Sequence, residues 1–117
     1  MDGDGHMIEL ERLLFGCPIC CRATRLDSGI HVLLTGGGRS HIGAVSVAEP
    51  DGKTETNVFP GHKDQFVSEP WAKALAAKIG QRACVVCGIH YDDATQEQIA
   101  EILRQTDQML EQLLQQI

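Results

Sequence analysis

Ile30-His31-Val32-Leu33-Leu34-Thr35, then Gly36-Gly37-Gly38-Arg39-Ser40, then His41-Ile42-Gly43-Ala44-Val45-Ser46-Val47-Ala48 is the stretch that decides how this chain folds. Ile30 to Thr35 and Ile42 to Ala48 are short runs of β-branched and apolar residues, which read as strands. The glycine-rich link between them can adopt backbone angles that other residues avoid, as a chain reversal requires. Downstream, Asp51-Gly52 is a turn signal, and Thr54 to Phe59 reads as the returning strand. Upstream, Leu13 to Arg25 reads as one longer strand, joined to Ile30 through the turn residues Asp27-Ser28-Gly29. Four strands in sequence with tight connections predict an antiparallel meander or small sandwich.

Beyond residue 64 the period changes. Ala72, Leu75, Ala76 and Ile79 recur at helical spacing, and Gly80 supplies a stop. Pro70 suits the first turn of that helix with Ser68 as its cap; a start near Asp64 would place Pro70 inside it. Ala83 to Ile89 is the most apolar strand candidate. Thr95 and Gln98 form a capping-box pattern, opening a helix that can run to Ile117. Along it Ile99, Leu103, Thr106, Leu110, Leu113 and Ile117 alternate by four and three, the spacing of a coiled-coil seam. The stripe suits either a helix packed on its own sheet or a dimer contact. The expected fold is therefore α+β, with two main helices packed on the sheet. Residues 9–117 form one domain behind a flexible N-terminus, 1–8.

Composition narrows the function. At 117 residues, 43% apolar and only 4% aromatic, the chain has room for one aliphatic core. Its net charge of -6, without a basic run, argues against nucleic acid, because phosphate neutralisation needs clustered Lys and Arg. No stretch approaches the roughly 20 apolar residues of a membrane span. Five cysteines without a secretory signal point to free thiols in a reducing compartment, and a cytoplasmic location is expected.

Cys17-Pro18-Ile19-Cys20 and Cys84-Val85-Val86-Cys87 are CxxC pairs, and paired CxxC knuckles bind zinc. In a strand, however, side chains alternate between faces, so a spacing of three sends Cys84 and Cys87 to opposite sides. Cys17 and Cys20 are the better candidates, since proline can shape a knuckle.

Three segments carry a histidine at a strand end: Arg39 to Gly43, Pro60 to Asp64 and Gly88 to Asp93. Loops displayed by a rigid scaffold are where sites commonly form. Imidazoles, the Lys63 ammonium, the Arg39 guanidinium and backbone amides could together hold an anionic group such as a phosphate. Alternatively His41, His62 and His90 could bind a metal with Asp92 or Asp64, although no HxH or HxxxH spacing makes this specific. Each histidine could also be a turn residue with local hydrogen bonds. Covalent catalysis has little support: Ser40 and His41 are adjacent, and no GxSxG elbow or phosphate-binding P-loop occurs.

His41 to Ala48, Pro60-Gly61-His62-Lys63-Asp64, and Gly88-Ile89-His90-Tyr91-Asp92 followed by Ala94-Thr95 together resemble the small accessory component of gallate decarboxylase and its relatives. That family is described as prenylated-flavin chaperone-like and accompanies UbiD-type decarboxylases that use prenylated FMN. The resemblance covers roughly residues 30–103. It implies that His41, His62, Lys63, His90 and Asp92, with Arg39 beside them, handle the anionic flavin, prenylated FMN or FMN. The order of elements is similar to that of the proteasome assembly chaperones, small dimerising α+β proteins, which implies a homodimer. The chain thus reads as a non-enzymatic accessory protein of a UbiD-type decarboxylase. A ligand-free assembly chaperone and a small His-metal enzyme stand as alternatives.

Overall fold

The computed structural model describes residues 6–59 and 63–117. Six strands, β1 (His6–Leu14), β2 (Cys17–Leu26), β3 (Gly29–Gly37), β4 (Ala44–Ala48), β5 (Thr54–Val58) and β6 (Ala83–His90), form a single sheet. Two helices, α1 (Gln65–Ile79) and α2 (Gln96–Gln116), pack against it.

The class is the one expected, but the strand order differs from an unbroken meander. The sheet runs β1-β2-β3-β6-β4-β5, with β6 inserted between β3 and β4. β6 pairs parallel with β3 and antiparallel with β4, so the sheet is mixed. The reason is burial: Ala83 to Ile89 has almost no polar side chain, and a central position satisfies both its backbone edges while covering its side chains.

The expected long strand from Leu13 is two strands. Phe15 and Gly16 both have positive φ, 51° and 80°, and reverse the chain between β1 and β2. β1 begins at His6, so residues 6–8, expected in a flexible lead-in, are paired with β2. Leu13, expected within that single strand, sits 77% exposed near the hairpin tip.

One face of the sheet carries the core. Ile19, Cys21 and Ala23 from β2, Ile30, Val32 and Leu34 from β3, and Val85 and Cys87 from β6 are buried at alternate positions, the period of a strand. Trp71 and Leu75 of α1 and Ile102, Met109 and Leu113 of α2 close over them. Under α1, β4 presents Ala44, Ser46 and Ala48, small enough for a close helix approach. The Ser46 hydroxyl lies 2.8 Å from both the Ser68 and Thr56 hydroxyls, joining β4, α1 and β5 through a hydroxyl cluster. Ser68 is therefore no cap: α1 starts at Gln65 and runs through Pro70. α2 has the expected capping box, with Thr95 and Gln98 exchanging backbone bonds.

The seam-like stripe on α2 divides. Thr106 and Leu113 are buried on the sheet and Leu110 and Ile117 pack beside them, whereas Ile99 and Leu103 are exposed. The stripe is mainly an intramolecular contact, rotated so that Ile102 and Met109 join it.

Among the described residues, the other face of the sheet has no helix. Across its centre Leu33, Val86 and Val45 sit side by side in register, flanked by Arg22 on β2 and Asn57 on β5. The three apolar members are half-buried.

Candidate functional site

Two glycines bring the histidine segments together. After β3, residues 38–43 cross the end of β6, and the Gly43 N–H donates to the Cys87 carbonyl at 2.9 Å. A Cβ on Gly88 would lie 1.8 Å from the His41 carbonyl oxygen, so only glycine lets the His41 backbone pass there. On the other side, Gly37 has φ +85° and its Cβ would meet the His90 carbonyl. The crossing places the His41 and His90 rings edge to face, centroids 6.3 Å apart.

Asp64 lies beneath this contact, immediately ahead of α1. It stands at the N-cap, yet its carboxylate makes no cap bond to the helix, because it is engaged elsewhere. Its Oδ1 accepts the Ile89 N–H at 2.9 Å and faces the Cys87 thiol at 3.7 Å. Its Oδ2 lies 3.4 Å from His41 Nε2, with the two side chains 6% and 14% exposed. His41 Nδ1 is 3.2 Å from the Arg39 carbonyl, so both ring nitrogens face oxygen. The pKa of the Cys87 thiol is raised, first by burial and then by the negative charge of Asp64 and the hydrogen bond to it.

The second imidazole has a different partner. His90 Nε2 lies 2.8 Å from Asp92 Oδ1, in a pair open to solvent. Tyr91, between them in sequence, turns inward: its hydroxyl donates to the Cys17 carbonyl at 3.0 Å, and its ring meets Phe15 edge to face at 5.7 Å. Burial raises the pKa of that phenol, which stays protonated at neutral pH.

Beside His90 opens a cavity of about 210 Å³ between the end of β6, α1 and α2. Val67, Ile89, Ala94, Ile99, Ile102 and Leu103 form its walls, while Lys63, Asp64 and His90 supply polar groups. A second space, of about 280 Å³, lies on the other side of Tyr91 and is lined by Phe15, Cys17 and Gln98 among others.

Of the residues singled out in the sequence, His41, His90, Asp92 and Lys63 thus gather at one end of the sheet. Arg39 contributes its carbonyl, its side chain being exposed. His62 lies outside the described residues. Cys84 and Cys87 occupy opposite faces as the strand period requires, one half-buried and one fully buried. Cys17 and Cys20 lie in β2, paired with Leu14 and Glu11 of β1, so no knuckle forms there. Among the described residues, no three His, Cys, Asp or Glu side chains are placed to hold a metal ion. Sequence reasoning undervalued Asp64, which reads as a helix-start residue, and missed the apolar cavity. Its signal was the α2 stripe, whose first members, Ile99 and Leu103, line that cavity.

Residues 15–117 match the family described as the prenylated flavin chaperone LpdD-like domain. The chain is 33% identical over 88 residues to Protein LpdD of Lactiplantibacillus plantarum, the match covering 71% of this chain and 65% of that relative. It thus spans less than two thirds of the relative's length. The fold is similar to a chain in the crystal structure of a chaperone complex for yeast 20S proteasome assembly. That likeness has a TM-score of 0.54 at 13% identity, over 92% of this chain and 94% of the other, and concerns the fold alone.

Proposed function

The chain belongs to the LpdD-like prenylated flavin chaperone family, and on that premise we propose that it binds prenylated FMN and passes it to a UbiD-type decarboxylase. The observation that carries this reading is the polar rim on an apolar cavity at the sheet end. Lys63 and His90 stand beside aliphatic walls, an arrangement suited to a ligand with an anionic tail and an apolar head. His90, tied to solvent-exposed Asp92, and Lys63 attract the phosphate, and His41 sets the position of His90 from beneath. The role is non-covalent: the protein shields and carries the cofactor, and the decarboxylation belongs to the partner enzyme.

Titration of the protein with FMN and with prenylated FMN, followed by flavin fluorescence, tests the reading. Lys63→Ala and His90→Ala should each weaken binding about tenfold, the value of one charge-assisted contact. Absence of binding in the unmodified protein would remove the ligand role. Transfer is tested by adding the loaded protein to an apo-decarboxylase and following activity against free cofactor at equal concentration.

The functional unit is a homodimer in this proposal, joined through the face of the sheet opposite the helices. Leu33, Val86 and Val45 form an apolar centre with Arg22 and Asn57 at its rim, the arrangement of an interface. Leu33 and Val86 belong to the parallel pair β3–β6, and parallel strands are normally covered on both faces. Light scattering should give twice the chain mass, and Val45→Lys should return the monomer. All five cysteines are free thiols, which supports a cytoplasmic location.

A further inference from the structure

We infer that the space on the far side of Tyr91 is a docking pocket for an arginine side chain of a partner protein. It is separate from the cavity beside His90, and its walls are Phe15, Cys17, Gly38, Tyr91, Asp92 and Gln98.

The hairpin that supplies Phe15 breaks a local rule. β1 and β2 are joined by two residues, Phe15 and Gly16, both at positive φ, the signature of a type I′ turn. Such turns favour Asn-Gly, because a bulky side chain at positive φ is strained. This chain has phenylalanine where asparagine would relieve the turn. Burial does little to offset the strain: Phe15 stays 44% exposed, and its ring meets Tyr91 edge to face, centroids 5.7 Å apart. Local preference is broken in this way, with little gain in packing, where a side chain serves function.

The polar groups of the walls decide the sign of the guest. Among the described residues neither Lys nor Arg lines the space, and its charged group is the Asp92 carboxylate. Asp92 Oδ1 is held by His90 at 2.8 Å, which leaves Oδ2 for a further donor. The Gly38 N–H already donates to the His90 carbonyl, and the Tyr91 hydroxyl to the Cys17 carbonyl. An anion would meet a carboxylate with little but the Gln98 amide to hold it, so the space is no extension of a phosphate site. A cation meets that carboxylate and two aromatic rings. Asp93 and Glu97, close by in sequence, are exposed, as is Arg39 after Gly38. The net charge of -6 draws cations from further away.

Size and surroundings narrow the cation. At about 280 Å³ the space falls just under the roughly 300–1,000 Å³ of sites that enclose a whole drug-sized ligand, and it suits one long side chain. A planar guanidinium stacks on aromatic rings and bonds a carboxylate through its fork, which an ammonium does not. The hairpin tip outside is apolar, with Leu13 77% exposed and Phe15 half-buried. A protein that seats an arginine here also takes that surface from water, as an anchor residue does at the centre of an interface. A free small cation leaves it wet.

Three probes on the unmodified chain, followed by its amide and side-chain resonances, test the pocket. They are an end-blocked leucine-arginine-leucine peptide, the same peptide with neutral citrulline for arginine, and agmatine, a free guanidinium. The arginine peptide should shift Phe15, Cys17, Asp92 and Gln98. It should bind about tenfold tighter than the citrulline peptide, the value of one charge-assisted contact, and about fivefold or more tighter than agmatine. Asp92→Asn should weaken the arginine peptide about tenfold. Phe15→Asn should do the same while its melting temperature holds or rises, because Asn-Gly suits the turn. Equal binding of the arginine and citrulline peptides, or no shift at those residues, overturns the pocket. Agmatine binding as tightly as the arginine peptide makes this a small-molecule cation site and overturns the protein partner. Should Phe15→Asn melt lower, Asp92→Asn at its exposed carboxylate decides alone, and unchanged peptide affinity there overturns the inference.

Discussion

The pairs His41–Asp64 and His90–Asp92 are built from the same two side chains yet occupy opposite environments. In the first, both side chains are nearly buried, and the carboxylate also holds a backbone N–H of β6. In the second, both are open to water and the carboxylate is 87% exposed. In a buried pair, removing one partner strands the other in a medium that solvates it poorly. An exposed pair contributes little stability and is free to exchange its partner for a ligand. The difference teaches that two neighbouring imidazoles can be set apart by burial alone, the first enclosed with its carboxylate and the second left open to solvent.

The largest effect should come from breaking the buried pair. Asp64→Ala removes the acceptor for the Ile89 N–H and the partner of His41, and a loss of about 3 kcal/mol is expected in urea unfolding. If the loss is under about 1 kcal/mol, the pair is not scaffold and the contrast fails. Gly88→Ala should follow, at about 2 kcal/mol, because its Cβ would fall 1.8 Å from the His41 carbonyl and the crossing segment must shift. The shift should appear as changed amide resonances at both His41 and His90, since the crossing holds them together.

A smaller effect reports how closed the buried side is. Burial pushes the pKa of Cys21 from 9.0 to about 12, and the same cause, with Asp64 beside it, raises that of Cys87. A thiol whose folded pKa lies above its unfolded value stays protonated while the unfolded chain ionises, so the unfolded state binds fewer protons as pH rises past about 9. Stability present below that pH is then lost above it, by roughly 1 kcal/mol per buried thiol at pH 10. Thermal unfolding from pH 7 to 10 should show the fall, and a thiol reagent at pH 8 should leave Cys21 and Cys87 unmodified until denaturant is added. The smallest stability change belongs to His90→Ala, within about 0.5 kcal/mol. A larger change in unfolding would mean that the exposed pair is also scaffold.

Much of the secondary structure was legible along the chain. The apolar, β-branched runs of Ile30 to Thr35 and Ala83 to Ile89, the Asp51-Gly52 turn, Gly80 and the Thr95–Gln98 box each act within a few residues, where local geometry decides. Phe15-Gly16 is not legible as a turn because Phe is an unusual residue at positive φ, so the strand read from Leu13 runs through the turn into β2 and most of β1 goes unread. Histidines at strand ends were legible as candidates. Asp64 was not legible as their anchor, because it is 25 residues from Ile89, whose N–H it accepts, and residues before a helix more often serve as caps.

By itself the sequence determined the α+β class, the placement of most elements, the opposite faces of Cys84 and Cys87, and the pattern that resembles the prenylated flavin chaperones. These follow from periods of about two and 3.6 residues and from side chains whose effect is local. Only the tertiary structure decided that β6 enters between β3 and β4, that His41 crosses Gly88 to meet His90, and that Ile99 and Leu103 line a cavity instead of joining their neighbours in the core. Each of these depends on which distant segments win the burial of the most apolar strand, a competition settled by the whole core together and not by any one stretch of it.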